Sequence, residues 1–222
     1  MHVMPTRQLR SRETMERLLD ATEALLATKP FESITVQEIA RRAGVTTGAL
    51  YARFQGKAGL LRGLEARLHG EFGAGLGEEL NPDRWSGAPL RELFRGLLSR
   101  MLGGYRSRGP LVRALALAER RDAGMAERVR AFNRESFIEP LTRVLLARRD
   151  IAGPDREGAI EFALSLLANA LTSWAVFPEN DPVGAASSDA AFVERLAEAL
   201  ALVLVGPAST KGARGARGGG RR

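Results

Sequence analysis

Residues 46–53 combine hydrogen-bonding and cationic side chains with a small apolar set, at the spacing of a short helix. The outward-facing set comprises Thr46, Thr47, Gly48, Tyr51 and Arg53. Threonine can contact the methyl group of thymine, and arginine can bind guanine through two hydrogen bonds. Tyrosine can reach a phosphate or a sugar, and glycine allows the backbone to come close to a groove. These residue types predict a helix that reads duplex DNA.

The residues before this segment predict a second short helix and a tight turn. Thr35 and Glu38 have the spacing of a capping box, in which each side chain binds an amide at the start of the helix. Gly44 can take a positive φ without steric cost, and Thr46 can cap the next helix. Residues 35–57 therefore predict a helix-turn-helix, with Ala49 and Leu50 packed inward.

Four residues around the turn are predicted to meet the DNA backbone. Lys57 adds a cation at the start of the next helix, where free amides and the positive end of the helix dipole favour a phosphate. Gln37 and Thr35 lie at the start of the first short helix, and Tyr51 lies on the second. For Thr35 two roles stay open, because its oxygen can cap the helix or contact phosphate.

Residues 11–62 resemble the N-terminal domain of TetR-type (tetracycline-repressor-like) transcriptional regulators. The shared pattern is Thr-Val-x-x-Ile-Ala from Thr35, Ala-Gly-Val from Ala43, Gly-x-Leu-Tyr from Gly48, then Phe54 and Lys57. Two features depart from it: Arg53 stands where the family usually has His or Tyr, and residues 55–59 differ at the start of the fourth helix. The resemblance implies a homodimer on a palindromic operator, released when a small molecule enters the C-terminal domain.

Composition and charge place limits on function. Of the net charge of +7, residues 1–62 carry +4 and residues 208–222 carry +5, so positive charge lies where phosphate would be met. The chain has no Cys, which excludes disulfides and thiolate-based metal sites. His2 and His69 are isolated, so the sequence predicts no enzyme, no metal and no cofactor. No signal peptide or run of about 20 apolar residues is seen, which predicts a cytoplasmic protein without a membrane partner.

Apolar periodicity predicts an all-α fold in four parts. These are a flexible arm (1–10), a three-helix helix-turn-helix domain (11–62), a larger helical effector-binding and dimerisation domain (63–207), and a disordered basic Gly/Arg tail (208–222). The first helix is expected at 11–28 and the fourth at 57–80, with weak helix propensity in its Gly-rich second half. Pro140 is expected to kink a helix at 125–146.

Two sets of apolar residues in the larger domain are assigned to binding. Candidate walls of a pocket for a largely hydrophobic effector are Phe94, Met101, Tyr105, Phe132, Phe137 and Trp174, for which plain core is the alternative. The candidate dimer interface on the last two long helices is Phe162, Leu166, Ala170, Trp174, Phe192, Leu196, Leu200 and Val203, for which a monomeric core is the alternative.

The sequence thus predicts a DNA-binding regulator, with repression as the first interpretation. A helical protein–protein adaptor and an activator that keep the fold without ligand-controlled repression are the alternatives.

Overall fold

The computed structural model describes residues 6–85, 87–151, 153–180 and 188–205, and these form an all-helical architecture. The ten α-helices of these residues are α1 (Thr6–Leu26), α2 (Val36–Arg42), α3 (Thr47–Tyr51), α4 (Gly56–Glu79), α5 (Leu90–Ser107), α6 (Gly109–Glu119), α7 (Ala123–Asn133), α8 (Glu139–Ala147), α9 (Arg156–Val176) and α10 (Asp189–Val205). Short 3-10 turns lie at Phe31–Ser33, Pro82–Trp85 and Pro178–Asn180. The predicted tail at 208–222 lies outside the described residues.

The turn between α2 and α3 is a Schellman motif. Gly44 has φ of +65°, and its amide donates to the Arg41 carbonyl while the Val45 amide donates to the Ala40 carbonyl. The four orphan carbonyls at the end of a helix need such donors. Gly44 therefore sets the direction in which α3 leaves α2.

Helix α1 is longer than the sequence predicts. It begins at Thr6, so residues 6–10 belong to the helix rather than to the predicted arm, while residues 1–5 lie outside the described part. The helix packs against α2, α4 and α6. Its buried side chains include Leu18 and Leu19, which brace the helix-turn-helix from behind.

Helix α4 runs unbroken through its Gly-rich second half. Its 24 residues reach from the helix-turn-helix to the larger domain, a length of about 36 Å at 1.5 Å per residue. Close packing accounts for some of its glycines: a Cβ at Gly63 would lie 2.9 Å from a methyl of Leu19 and 3.0 Å from the Phe54 ring. At Gly70 a Cβ would meet nothing within 4 Å.

The kink expected at Pro140 takes the form of a π-helical turn. Residues Arg134–Ile138 join α7 to α8, and the Glu139 amide donates to the Arg134 carbonyl five residues earlier. Proline has no amide hydrogen and its ring crowds the carbonyl four residues before it, so the regular bonding pattern cannot continue. The wide turn places the Phe137 side chain in the core.

Two hydrophobic clusters hold the molecule together. The larger comprises buried residues from α4, α5 and α8 to α10, with Phe94, Leu98 and Leu167 fully enclosed. The smaller encloses the helix-turn-helix, and it also contains Leu111, Ala114, Leu115 and Met125 from α6 and α7. The core of the N-terminal domain thus continues beyond residue 62, across the boundary that the sequence predicts.

Helices α9 and α10 pack on each other and on α5. By length and composition alone α9 could cross a membrane. In the described structure, however, Ala163 and Leu167 of α9 are fully buried against the protein core. We interpret its apolar character as that of a core helix.

An ion-pair network joins the two domains. The Glu23 carboxylate on α1 accepts hydrogen bonds of 2.6 Å from Arg67 on α4 and from Arg108 between α5 and α6. Arg67 also binds Asp20, and Arg108 also binds Glu71. Three helical segments therefore meet at one carboxylate.

Two glycines of α4 provide a test of this packing. We expect Gly70→Ala to raise the free energy of unfolding by about 0.5–1 kcal/mol, because alanine lowers the entropy of the unfolded chain and meets open space. Gly63→Ala should instead lower it by roughly 1–3 kcal/mol through overpacking against Leu19 and Phe54. Urea unfolding at one fixed protein concentration measures both. Equal effects of the two substitutions would contradict the described contacts of α4.

Candidate nucleic-acid interface and effector cavity

Helix α3 is fixed to the domain by a cap and by two inward side chains. The Thr46 hydroxyl accepts a 3.1 Å hydrogen bond from the Ala49 amide, which satisfies one orphan donor at the start of the helix. Leu50 is fully buried, and Phe54 packs against the same core just after the helix. Because α3 has only five residues, its stability depends on this packing rather than on helix propensity.

The opposite face of α3 lies in solvent. Thr47, Gly48 and Tyr51 are exposed, and Tyr51 as a whole residue is 61% accessible. A Cβ at Gly48 would have only the Thr46 hydroxyl within 4 Å, at 3.8 Å. These three of the predicted DNA-contacting residues are therefore brought together on one open surface.

Thr35 acts as a helix cap. Its hydroxyl accepts a 3.2 Å hydrogen bond from the Glu38 amide, and the Glu38 carboxylate accepts a 2.9 Å bond from the Thr35 amide. Lys29 also donates to Glu38 at 2.6 Å. This bond and those from Thr35 lower the pKa of Glu38 to about 2, so the capping box stays ionised until the pH falls to that value. Of the two roles predicted for Thr35, the geometry favours the cap.

Lys57 is bound within the protein rather than free at the start of α4. Its ammonium donates to the carbonyls of Phe31 and Glu32 at 2.7 and 3.1 Å and lies over the Phe31 ring. Partial burial lowers the pKa of Lys57. The side chain therefore ties α4 to the turn that precedes α2, a contact that the sequence does not indicate.

Arg53 is likewise held by the backbone. It donates to the Ser11 carbonyl of α1 at 3.3 Å and to the Ala49 carbonyl at 2.9 Å. Gln37, by contrast, is exposed at the start of α2 and its side chain makes no hydrogen bond within the described part of the chain. The predicted set thus divides into residues that hold the motif and residues that face solvent.

Arg41 and Arg42 are two cations near this surface that the sequence analysis did not select. Both are exposed in the last turn of α2, directly before the turn to α3. Cations at this helix end also interact favourably with the helix dipole. The Arg-Arg pair beside Ala43-Gly44 was the signal that could have identified them.

Comparison with known proteins identifies this motif. Residues 18–64 match the family model of the bacterial regulatory proteins, tetR family. The chain carries a tetR-family domain. The match covers α2 and α3 with the last nine residues of α1 and the first nine of α4, so it includes the elements that form the exposed surface.

Two curated relatives are similar to this chain over about 60 residues. The HTH-type transcriptional regulator TtgW of Pseudomonas putida is 38% identical over 60 residues, which are 27% of this chain and 45% of that protein. The HTH-type transcriptional regulator SrpR of Pseudomonas putida is 40% identical over 58 residues, which are 26% of this chain and 27% of that protein. The chain thus spans less than half the length of either relative.

Solved structures share the fold over most of the chain. The structure of NalD, the secondary repressor of the MexAB-OprM multidrug efflux pump in Pseudomonas aeruginosa, is 25% identical with a TM-score of 0.60, covering 88% of this chain and 98% of NalD. FadR from Bacillus subtilis, in complex with stearoyl-CoA, is 19% identical with a TM-score of 0.63, covering 87% and 99%. These two proteins thus share the helical fold of this chain over most of its length.

A cavity of about 160 Å³ lies directly behind the TetR-type domain, between α4, α5, α6, α7 and α9. Two of the predicted pocket residues, Tyr105 and Phe132, line it. The Phe132 ring stacks on His69 with centroids 3.9 Å apart. Burial lowers the pKa of His69 and raises the pKa of Tyr105, so both groups are neutral near pH 7.

The other predicted wall residues do not line this cavity. Met101 lines a separate surface cleft of about 440 Å³ between α4 and α5. Phe94 is fully buried in the larger core and Phe137 is turned into it by the π-helical segment. Trp174 stacks on Phe192 at 4.6 Å and donates to Asp189 at 2.8 Å. Phe94, Phe137 and Trp174 therefore do not line this cavity, because apolar spacing does not distinguish a cavity wall from solid core.

The cavity also has polar walls that the sequence analysis missed. Glu65 is 2% exposed and accepts hydrogen bonds of 3.0 and 2.8 Å from Arg128. Glu119 lies across the cavity on α6, and burial raises its pKa. In the sequence, Glu65 interrupts the apolar helix face formed by Leu61 and Leu68, and this pattern could have indicated a buried carboxylate. No comparable pattern marks Glu119.

The residues assigned to a dimer interface fall into two groups. Leu196 and Leu200 are buried in the core of the same chain, so the described structure does not expose them to a second copy. Phe162 is 61% exposed, while Leu166, Ala170, Trp174, Phe192 and Val203 are half-buried. Leu202 and Val205 on α10, which were not predicted, are also exposed. Periodicity identified the apolar helices, but their inward and outward faces depend on packing.

The division between capping and exposed threonines leads to a test. We expect Thr35→Ala to lower the free energy of unfolding by about 1 kcal/mol, because it removes the side-chain half of the capping box. Thr47→Ala should change stability by less than about 0.5 kcal/mol, since Thr47 is exposed and its side chain makes no hydrogen bond among the described residues. Urea unfolding of the two variants measures the difference. If Thr47→Ala proves as destabilising as Thr35→Ala, the assigned caps are incorrect.

Proposed function

We propose that the protein is a sequence-specific DNA-binding transcriptional regulator, with α3 in the major groove. The observation that carries the proposal is the open surface of Thr47, Gly48 and Tyr51 on a helix capped by Thr46 and anchored by Leu50. A helix held rigidly from behind presents its exposed side chains to base edges at little entropic cost. Gln37, Arg41 and Arg42 are positioned to meet phosphates on either side.

We further propose that Arg53 and Lys57 act first as structural residues. Their nitrogens hold α1, α3, α4 and the Phe31 turn in fixed relation. Lys57 has a third donor and Arg53 has further N–H groups, which allows each to contact DNA without leaving its carbonyl partners. Such a combination of a structural role and a DNA-binding role would explain why positions 53 and 57 carry cationic side chains.

A second copy of this chain is the proposed partner at α9 and α10. Phe162, Leu166 and Ala170 follow each other at four-residue spacing along α9, and Leu202 and Val205 expose apolar surface on the adjacent α10. Two antiparallel helices with exposed apolar faces can pair with their symmetry copies as a four-helix bundle. Such a dimer favours a palindromic site with half-sites about 34–36 Å apart.

Repression released by a small, largely hydrophobic ligand is the proposed mode of control. The cavity behind α4 supports it, because Leu68 and Leu115 belong both to the cavity wall and to the core of the helix-turn-helix. A ligand that favours a different packing of these residues changes the position of α4 and thereby the orientation of α3. Its effect is limited to its difference in affinity between the two states.

Gly48 provides the main test of DNA reading. Gly48→Ala should leave stability unchanged or raise it by up to about 1 kcal/mol, because the added methyl meets open space on the protein. If the backbone approaches the groove at this point, the same methyl should weaken binding to DNA flanking the gene by about tenfold or more. Fluorescence anisotropy with that DNA measures affinity, and Gly70→Ala on α4 is the matched control that should bind normally.

Two outcomes would refute the regulator proposal. One is binding of the wild-type protein to the flanking fragment no tighter than to unrelated DNA at the same salt concentration. The other is an unchanged affinity for both Gly48→Ala and Tyr51→Ala.

The dimer is tested by charge placed on α10. Leu202→Glu should shift the protein from dimer to monomer in analytical ultracentrifugation, because a carboxylate would be buried unpaired in the proposed interface. Leu146→Glu is the control, since Leu146 is an exposed apolar residue of α8 outside α9 and α10. A monomeric wild-type protein, or equal behaviour of the two variants, would exclude this interface.

A further inference from the structure

The charged groups around the effector cavity are unevenly distributed. Its described walls contain two carboxylates, Glu65 and Glu119, and no Lys or Arg. Glu65 forms an ion pair with Arg128, which lies outside the cavity. The nearby Arg130 forms an ion pair with Glu127 and not with Glu119. Among the described residues Glu119 forms no ion pair. Burial raises the pKa of Glu119, and the charges of Arg130 and Arg120, which are not in contact with it, only partly oppose that shift.

The remaining walls are aromatic or apolar with few hydrogen-bonding groups. His69 and Phe132 form a nearly parallel stack, with 1° between their planes, and Phe72 lies beside Tyr105 with centroids 5.9 Å apart. The Tyr105 hydroxyl makes no hydrogen bond to another described residue. Aromatic faces attract cations, and they do so most strongly where water is excluded.

We propose that this cavity binds a small organic cation, with its charge next to Glu119 and its apolar body against the aromatic walls. The inference rests on the proposed ligand-controlled regulation and specifies the chemical class of the ligand. An unpaired, partly buried carboxylate is unfavourable in the free protein, and a cation provides the missing partner. The carbon groups attached to the cationic nitrogen contact Phe72 and Phe132. The Tyr105 hydroxyl accepts or donates a hydrogen bond where the ligand has a polar group.

The cavity disfavours the other ligand classes. An anion would have to lie beside Glu119 with no Arg or Lys in the described wall to neutralise it. A neutral apolar molecule would fill the space but leave Glu119 desolvated without a partner. The volume of about 160 Å³ lies below the roughly 300 Å³ at which cavities for drug-sized ligands begin, so the ligand should be small.

Isothermal titration calorimetry with three probes tests the proposal on the full chain without DNA. Phenyltrimethylammonium carries a permanent positive charge, tert-butylbenzene has the same shape without charge, and benzoate is an anion. We expect phenyltrimethylammonium to bind at least tenfold tighter than tert-butylbenzene, and benzoate not to bind detectably.

Substitution of Glu119 separates charge from shape. Glu119→Gln keeps the side-chain volume and should weaken phenyltrimethylammonium binding at least tenfold while leaving tert-butylbenzene unchanged. Glu139→Gln is the matched control, because Glu139 is an exposed carboxylate of α8 that does not line the cavity. Phe132→Leu should also weaken the cation more than the neutral probe. Thermal unfolding confirms that each variant is folded.

Three results would overturn the proposal: no saturable binding of phenyltrimethylammonium at millimolar concentration, equal or tighter binding of a neutral or anionic probe, or an unchanged affinity in Glu119→Gln. None of these depends on DNA. Failure of the wild-type protein to recognise flanking DNA would refute the regulator function, whereas failure of cation binding would refute only this assignment of the ligand.

Discussion

The position of the helix-turn-helix relative to the larger domain depends on an ion-pair network centred on one carboxylate. Glu23 on α1 binds both Arg67 of α4 and Arg108 at the junction of α5 and α6. The hydrogen bond from Arg108 is the largest cause of its lowered pKa, and the charge of Arg67 adds to it. A lowered pKa in the folded state stabilises the protein above the unfolded value of about 4.5, and this contribution is lost as the pH falls through the folded pKa. Without this anion two guanidinium groups would lie close together in a half-buried site.

The local features of the helix-turn-helix could be predicted from the sequence because each is encoded within a few residues. The capping box of Thr35 and Glu38, the left-handed turn at Gly44 and the cap at Thr46 all follow from short spacings with known geometry. Pro140 was similarly predictable as an interruption. Its form as a π-helical turn was not, because that depends on which carbonyl the next free amide reaches.

Long-range contacts could not be predicted in this way. Nothing in the sequence shows that Lys57 binds a turn 25 residues earlier or that Arg53 reaches Ser11 on α1. The walls of the cavity could not be told from solid core for the same reason, since Phe94 and Phe132 have the same apolar character and differ in how neighbouring helices pack around them. Apolar periodicity gives the face of a helix that is buried; it does not give the partner that buries it.

The smaller hydrophobic cluster has a consequence for folding cooperativity. Because Leu111 and Met125 complete the interior around Leu18 and Ile39, residues 11–62 alone would leave part of that interior in water. The two sequence-defined domains should therefore unfold in a single cooperative transition rather than as independent foldons. Transfer of this helix-turn-helix between proteins in evolution then requires the transferred segment to match the residues of α6 and α7 on which it packs.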